Sequence, residues 1–321
     1  MNLIQIAQKY NTDAKCVNYL KALRWGNKVF CSKCGSDNVV SVTSGLGRYH
    51  CNSCKTTFSV LADTIFEDTR LDLPKWFMIT GMILNAKQGI SAKEISRDAG
   101  ITYKTAWYAC MRIRCAMIDN CATLQNIVEM DESYVGGKPR KRYNQSSSTT
   151  KLSEVTIKRG RGTNKTPVVG IVERKGKVVL KVTERLTAAN LILMLKENVK
   201  TDNTVVMTDE FRSYRKFDDI VTHLTIDHSK GEYVRGSVHV NTIEGFWSIL
   251  KNSIRGAYKS LSVKYLPFYL VQSQYIYNNR DFKGNLFEVF MTNAVTNDKC
   301  MIRYKPKTNV KRIVYKKCEK K

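Results

Sequence analysis

The sequence predicts an α/β core that follows a small four-cysteine module and a module of short helices. Three observations predict this order: two closely spaced cysteine pairs, a helix–glycine–helix pattern after them, and an alternation of apolar strands and amphipathic helices in the second half. We expect the two modules at residues 1–62 and 63–122, the core at 123–290 and a basic tail at 291–321.

The composition excludes several classes of protein. The chain has 321 residues, of which 43% are hydrophobic, so it is not wholly disordered. Its longest apolar run, at 76–84, is far shorter than the roughly 20 residues that cross a bilayer. No secretory signal pattern opens the sequence, so we expect neither membrane insertion nor secretion. The formal charge of +25 favours a polyanionic partner such as nucleic acid.

Two blocks hold much of the basic excess. Residues 136–166 contain nine Lys or Arg and a single acid in a Ser-, Thr-, Gly- and Asn-rich setting, which predicts a mobile basic loop. Residues 299–321 contain ten more basic residues and one acid, and we expect this tail to contact phosphates. The candidate nucleic-acid contacts of the loop are Lys138, Arg140, Lys141 and Arg142.

Four of the ten cysteines form two C-x2-C pairs with sixteen residues between them. This spacing is typical of a structural zinc site, because each pair can place two thiolates on one tetrahedral ion and four thiolates leave no open position. Short strands between and after the pairs predict a zinc ribbon at residues 29–61, in which His50 is a strand residue rather than a ligand. The expected ligands are Cys31, Cys34, Cys51 and Cys54.

A pattern typical of a helix-turn-helix follows the ribbon. Ser91 can cap a first helix, Gly100 interrupts the chain, and Thr102 can start a second helix. A second helix of this kind suits the DNA major groove, although two short helices joined by a glycine turn can equally form a packing unit. The candidate DNA contacts of this helix are Lys104, Arg112 and Arg114.

The remaining chain predicts the elements of an α/β core. VEMDESYV indicates a strand, PVVGIVER and KVVLKVTE a hairpin, and TAANLILMLKENVK a helix. TVVMTDEF indicates a short buried strand, and a long helix begins near Asn241.

Three acids of this core are candidates for one catalytic centre. Asp131 and Asp209 each follow apolar strand residues, where a carboxylate is costly to bury without a cation. Glu244 lies on the following long helix, Lys251 shares its face seven residues later, and Arg255 continues the stripe.

Converging carboxylates are hard oxygen ligands, which suit Mg²⁺ or Mn²⁺ and metal-assisted phosphoryl displacement. Lys251 would then meet a phosphate near the site. The ordinary interpretation is that each acid is a cap or a surface charge and that Lys251 is a solvated helix lysine, and the spacing leaves both interpretations open.

A family resemblance rests on three sequence blocks that follow the four-cysteine ribbon: MDESYVGGK, TDEFRSY and HVNTIEGFWSILKNSIRGAYK. The chain resembles the zinc-ribbon insertion-sequence transposases of the DDE superfamily, bacterial relatives of the eukaryotic Merlin elements, over about residues 15–285. The resemblance implies a ribonuclease H-like catalytic domain that cuts transposon ends and joins them to target DNA.

The resemblance also implies roles for individual residues, with Asp131 and Asp209 as the first two metal ligands. Members of this family have either Glu or Asn as the third catalytic residue, followed by Lys, and this chain offers Glu244 and Asn241. We favour Glu244, because an anionic oxygen binds Mg²⁺ better than an amide does. Asn241 is the alternative, or it caps the helix.

The implied partners are double-stranded DNA, as transposon terminal repeats and target DNA, and further copies of the chain in a synaptic complex. We expect a cytoplasmic, nucleoid-associated protein, or a nuclear one if the host is eukaryotic. Two other functions stay open: a zinc-ribbon DNA-binding regulator without catalysis, and a ribonuclease H-like DNA-processing nuclease.

Several neighbours of the acids have two interpretations. Glu132 should point to the opposite strand face from Asp131 and is not expected to be a ligand. Trp247 can stack on a displaced base or pack in the core, and packing is the commoner fate. His239 can contact a phosphate or be a polar loop residue, and we favour the loop residue.

Overall fold

The computed structural model describes residues 1–43, 45–118, 122–136, 165–227, 230–231 and 234–296. The described residues form two compact units. The helical unit comprises those within Met1–Cys121, Gly256–Tyr258 and Phe268–Lys321, and the sheet unit comprises those within Ala122–Arg255 and Lys259–Pro267. Among the described residues, no helix has the length and apolar character needed to cross a membrane.

The first half of the chain contains five helices and three short strands among its described residues. In chain order they are α1 (Leu3–Lys9), α2 (Asp13–Trp25), β1 (Val39–Ser41), β2 (Arg48–Cys51), β3 (Thr57–Ser59), α3 (Leu73–Asn85), α4 (Ala92–Asp98) and α5 (Tyr103–Ala116).

The second half contains the predicted core. Its described elements are β4 (Ile127–Val135), β5 (Thr166–Glu173), β6 (Val178–Val182), α6 (Ala188–Asn198), β7 (Val205–Asp209), a 3₁₀ helix (Arg212–Phe217), β8 (Thr222–Ile226), α7 (Asn241–Ser253), a π-helical turn (Ile254–Tyr258), α8 (Leu266–Asn278) and α9 (Leu286–Thr296). The strands, the hairpin and the helix near Asn241 predicted from the sequence are all confirmed.

Side-chain caps and buried apolar faces shape the helical unit. Thr12, Ser91 and Thr102 each accept a hydrogen bond from a backbone N–H in the first turn of the helix that follows, which satisfies a donor that has no partner within the helix. Helices α2, α3, α5 and α9 then pack together around buried aromatic side chains, including those of Phe77 and Phe290. The C-terminal helices therefore complete the core that the N-terminal helices begin.

This packing corrects one predicted domain limit. The sequence predicts a catalytic domain that ends at residue 290, whereas the structure places the described residues from Phe268 onward in the helical unit. The reason is physical: Val271 of α8 and Phe287 of α9 belong to the same buried apolar cluster as side chains of α2, α3 and α5. The sequence does not indicate that α8 and α9 pack with the N-terminal helices, because segments that are adjacent in sequence are assigned to the same domain.

The sheet unit is built on five strands in the order β6-β5-β4-β7-β8. Strands β4, β5 and β6 pair antiparallel, whereas β4 pairs parallel with β7 and β7 with β8. One face of β4 and β5 packs against α6 and the 3₁₀ helix through a cluster that includes Val128, Met130 and Leu191. Helix α7 also packs against β4 and β5.

Helix α7 lies very close to strand β5 at Gly170. A Cβ atom built on Gly170 would lie 2.7 Å from Cζ2 of Trp247 and 2.8 Å from Cδ1 of Ile243, both on α7. Real Cβ atoms do not approach other carbon atoms this closely, so the missing side chain is what allows the helix to lie at this distance.

We expect Gly170→Ala to lower the free energy of unfolding by about 1–3 kcal/mol, because the methyl group forces Trp247 and Ile243 outward. Gly245→Ala on α7 is the control: a Cβ there meets nothing within 4 Å, and Ala favours a helix by up to about 1 kcal/mol. Denaturant unfolding of both variants measures the difference. A Gly170→Ala protein as stable as the control variant would contradict the close packing.

Candidate functional site

Two parallel strands bring Asp131 and Asp209 side by side. The pairing of β4 with β7 ends where Glu129 lies opposite Met207. The same offset continued for two residues puts Asp131 level with Asp209, and the negative charge of Asp209 acts on the Asp131 carboxyl. Asp209 is the last residue of β7, and its Oδ1 accepts a hydrogen bond of 3.0 Å from the backbone N–H of Phe211. Both acids lie on strands, as the apolar residues before them predict, and these strands are β4 and β7 in the interior of the sheet.

The surroundings of Asp131 disfavour its charge. Burial is the main cause that raises the pKa of this carboxyl to about 7, and the negative charges of Glu132 and Asp209 raise it further. The indole of Trp247 acts in the opposite direction, because its Nε1 donates a hydrogen bond of 3.0 Å to Oδ2 of Asp131. The site thus holds crowded negative charge, which a cation would neutralise.

Glu132 points to the opposite face of β4, as strand alternation predicts. Its Oε2 accepts a hydrogen bond of 2.9 Å from the hydroxyl of Tyr214, which belongs to the 3₁₀ helix. Burial and the neighbouring carboxylates raise the pKa of Tyr214 well above its usual value. Tyr214 therefore stays a neutral donor to Glu132.

Glu129 is an important residue that the sequence analysis missed. Its side chain is 0% exposed, yet it accepts hydrogen bonds from the backbone N–H groups of Thr242 (2.8 Å) and Ile243 (3.0 Å) and from Oγ1 of Thr242 (2.9 Å). Nε of Arg174 lies 2.6 Å from Oε1 of Glu129 in an ion pair. The sequence feature that could have indicated its role is the position of this carboxyl between the apolar residues Val128 and Met130.

Arg174 extends this network to the segment that leads into α7. It donates hydrogen bonds to the carbonyl oxygens of Ser237 (2.7 Å) and His239 (2.8 Å). Nδ1 of His239 lies 2.9 Å from Nη2 of Arg174 and 3.4 Å from Oε1 of Glu129. His239 is therefore part of the connection between sheet and helix, in agreement with its interpretation as a polar loop residue.

Helix α7 presents the other predicted catalytic residues on its surface. Asn241, Glu244 and Lys251 are exposed, and Val240 rather than Asn241 occupies the N-cap position. Glu244 and Lys251 flank Trp247 on the helix surface, three residues before it and four residues after it. This places both beside the residue that contacts Asp131.

The three carboxylates are not gathered into one cluster. Within the described ranges, the four ribbon cysteines are the only group of three or more His, Cys, Asp or Glu side chains that lie close enough to share an ion. Asp131, Asp209 and Glu244 therefore do not form such a group. Trp247 and Phe246 are 4% and 1% exposed, which confirms that they pack in the core.

The four cysteines of the N-terminal module lie together. The Sγ atoms of Cys31, Cys34, Cys51 and Cys54 are all within 4.8 Å of one another. Two of the pairs, Cys31 with Cys54 and Cys34 with Cys51, have Sγ atoms 3.6 Å apart. Four sulfurs bound tetrahedrally to zinc at about 2.3 Å would lie roughly 3.8 Å apart, so the arrangement fits this ion.

The three antiparallel strands β1, β2 and β3 support this cysteine cluster. His50 lies on β2, where its Nδ1 is 3.2 Å from Oγ1 of Thr57 on β3. His50 is therefore a cross-strand partner, in agreement with its interpretation as a strand residue.

Two predicted DNA contacts on α5 are wrong. Arg112 and Arg114 are 5% and 2% exposed, so neither can reach a nucleic acid. Arg112 donates to the carbonyl oxygens of Glu67 and Thr64, and Arg114 donates to Oε1 of Gln272. The guanidinium of Arg114 also lies 4.0 Å from the ring centroid of Tyr269. Both arginines hold the helical unit together.

The accessible part of α5 is its first turn. Lys104 is exposed, whereas every residue from Cys110 to Cys115 is buried. Arg255 is exposed in the π-helical turn that follows α7. The other predicted DNA contacts, Lys138, Arg140, Lys141 and Arg142, lie outside the described residues.

We expect Asp131→Asn to stabilise the protein at alkaline pH. The pKa of about 7 lies above the unfolded value of about 3.9, so the folded state binds an extra proton between these values and loses stability as the pH rises through 7. The substitution removes this loss and should raise the free energy of unfolding by about 1–3 kcal/mol at pH 8, with little gain near pH 4. Denaturant unfolding without added Mg²⁺ or Mn²⁺ tests this, and an equal effect at both pH values would contradict it.

Two family models match the chain. The model of the transposase zinc-ribbon domain matches residues 11–57, and that of the ISXO2-like transposase domain matches residues 123–278. The first match includes all four clustered cysteines, and the second includes Asp131, Asp209 and Glu244.

Solved structures resemble the chain only remotely. The Mos1 strand transfer complex has a TM-score of 0.27 and 11% identity, covering 70% of this chain and 79% of that one. The Mos1 mariner paired end complex with Mn has a TM-score of 0.27 and 13% identity, covering 67% and 74%. Scores this low carry no argument about this chain.

Curated relatives are closer in sequence. An uncharacterized transposase-like protein of Haemophilus influenzae is 28% identical over 113 residues, which are 35% of this chain and 89% of the relative. An uncharacterized protein in transposable element ISH50 of Halobacterium salinarum is 31% identical over 267 residues, which are 79% of this chain and 88% of the relative. The chain therefore belongs to the insertion-sequence transposases that join a transposase zinc ribbon to an ISXO2-like transposase domain.

Proposed function

We propose that this transposase binds the ends of its element, cleaves them by divalent-metal-dependent phosphodiester hydrolysis and joins the freed 3'-hydroxyl to target DNA. The observation that carries the proposal is the pair of carboxylates, Asp131 and Asp209, at the same level of two adjacent parallel strands. Burial and like charge make this pair costly unless a cation is shared.

The sheet unit fits the ribonuclease H-like fold that the family resemblance implies. Its five strands are mixed, with the antiparallel strands β6, β5 and β4 continuing into the parallel strands β7 and β8. In this arrangement the central strand β4 and its neighbour β7 supply the acids, and α7 supplies the third residue.

Asp131, Asp209 and Glu244 are the proposed ligands of Mg²⁺ or Mn²⁺, since these ions prefer oxygen donors. Glu244 is favoured over Asn241 because it carries a charge and lies three residues before Trp247, which contacts Asp131. When bound, the metal would activate the attacking oxygen and stabilise the leaving oxygen at the phosphate.

The protein's own side chains prepare this site. The Trp247 indole donates a hydrogen bond to Oδ2 of Asp131. The backbone N–H of Phe211 donates a hydrogen bond to Oδ1 of Asp209. Lys251, exposed one turn beyond Trp247, is placed to meet a phosphate of the DNA.

The basic surface is proposed to hold double-stranded DNA by phosphate contacts, which displace condensed counterions. Lys104 and Arg255 are exposed in the described structure, and the sequence of the 136–166 loop and of the 299–321 tail adds charge of the same sign. We further propose that copies of the chain associate when two element ends are brought together.

The four cysteines are proposed to bind a structural zinc ion. Their mutual distances fit a tetrahedron, and four thiolates leave no coordination position for a substrate. The short strands of the ribbon bury few apolar side chains, so the ion would supply much of this module's stability.

We expect Asp209→Asn to abolish cleavage of an element-end DNA in Mg²⁺ or Mn²⁺, because it removes an anionic ligand, while DNA binding by gel shift changes less than about twofold. Asp202→Asn, an exposed aspartate of the same unit, is the matched control. Wild-type cleavage by Asp209→Asn would overturn the assignment. Absence of metal-dependent cleavage in the unmodified protein would favour a regulator, and cleavage without joining would favour a processing nuclease.

We expect one zinc ion per chain by elemental analysis, and almost none after the double change Cys51→Ser and Cys54→Ser, because two thiolates cannot complete the tetrahedron. The zinc-free variant should also show a lower melting temperature. Cys110→Ala, which changes a buried cysteine of α5 outside the ribbon, should keep its zinc. Full zinc content in the double variant would rule out this site.

A further inference from the structure

Strand β4 is attached to helix α7 at two separate points. Glu129 binds the N–H groups of Thr242 and Ile243 at the start of the helix, and Asp131 binds Nε1 of Trp247 one turn later. Glu129 and Asp131 share one face of the strand because they are two residues apart. Glu244 lies between the two attached points of the helix. Two attachments fix both the rotation of the helix and its displacement along its axis.

The first attachment replaces a cap that α7 does not have. Val240 occupies the N-cap position and makes no side-chain cap hydrogen bond. The first N–H groups of a helix need acceptors from elsewhere, and a negative charge at this end also interacts favourably with the helix dipole. The carboxylate of Glu129 provides both from the neighbouring strand, with a third bond from Oγ1 of Thr242.

Burying this carboxylate is costly, and Arg174 is what makes it tolerable. A fully buried charge needs an ionic partner and further hydrogen bonds. Arg174 pairs with Glu129 and also binds the carbonyl oxygens of Ser237 and His239, just before the helix. The sheet therefore binds both the incoming segment and the first turn of α7. A helix cap needs only acceptors for the first N–H groups, so the additional bonds to the incoming segment go beyond capping.

We propose that Glu129 and Arg174 are positioning residues that set the place of Glu244 relative to Asp131 and Asp209. This inference rests on the proposed function, in which these three acids hold the divalent ion. Glu129 itself is not a ligand, since its oxygens are occupied by Arg174, Thr242 and Ile243. Its role is to hold the helix at one rotation, which sets the direction from which Glu244 can approach Asp131 and Asp209 when an ion is bound.

The inference separates positioning from simple stabilisation through one matched set of variants. Thr242→Val removes the hydroxyl bond to Glu129 and keeps the side chain's shape, and Thr242→Ser restores the hydroxyl. Thr187→Val is the control, because Thr187 caps α6 in the same unit and its loss weakens a helix that carries none of the three acids. Glu129→Gln removes the buried charge and is the stronger perturbation.

Two measurements are made on the zinc-loaded full chain: Mn²⁺ affinity by electron paramagnetic resonance without DNA, and the Mn²⁺ concentration for half-maximal cleavage of an element-end DNA. Residues that orient metal ligands typically change affinity about 10- to 100-fold. We expect a loss of about 10-fold or more for Glu129→Gln, a smaller loss in the same direction for Thr242→Val, and recovery in Thr242→Ser. Thr187→Val should lower the melting temperature and leave Mn²⁺ affinity unchanged.

The outcomes distinguish the two proposals. If Asp209→Asn abolishes cleavage but Thr242→Val and Glu129→Gln bind Mn²⁺ as the unmodified protein does, the positioning role is overturned and the proposed function stands. If Asp209→Asn cleaves normally, the proposed function itself fails. If Glu129→Gln does not fold, the comparison of Thr242→Val with Thr242→Ser and Thr187→Val decides, because these variants keep the buried ion pair. Equal Mn²⁺ affinity in all three would overturn the positioning role.

Discussion

The electrostatic cost of placing acids in the interior governs the sheet unit. Strand β4 carries Glu129, Asp131 and Glu132 within four residues, and each of these carboxyl groups has different surroundings. Glu129 is neutralised by Arg174, Glu132 accepts a hydrogen bond from Tyr214, and Asp131 is left with a raised pKa beside Asp209. Alternation along the strand separates Glu132 from Glu129 and Asp131, since neighbouring side chains leave on opposite faces. Asp131 therefore lies among negative charges, because Glu132 and Asp209 both raise its pKa.

Much of this arrangement could be predicted from the sequence, because local patterns encode it. The cysteine spacing predicted the four-cysteine cluster, and the apolar strand patterns placed Asp131 and Asp209 on strands, whereas the sheet showed that these strands are neighbours. Hydrophobic alternation is a local property, so it survives without knowledge of the fold. The third acid was identified on α7, but its distance from the other two depends on how that helix rotates, which no local pattern specifies.

The errors share one cause, which is that burial depends on contacts between distant segments. Arg112 and Arg114 resemble groove-contacting residues of a second helix, yet this part of α5 is buried. Their guanidinium groups donate hydrogen bonds to Glu67 and Gln272 instead. Glu129 was overlooked because its partner Arg174 is 45 residues away along the chain. An ionisable residue flanked by buried apolar residues indicates that a partner exists without naming it. Charge counts alone cannot separate a surface lysine from an interior arginine.

The return of α8 and α9 to the N-terminal helices makes the helical unit discontinuous along the chain, with the sheet unit inserted between its parts. During synthesis the first helices leave the ribosome without Phe287 and Phe290, the side chains that later complete their core. At 5–20 residues per second, roughly ten seconds or more pass between the emergence of α5 and that of α9. The sheet unit can form during this interval, whereas the helical unit is completed last. A nascent or prematurely terminated chain therefore lacks a finished helical core.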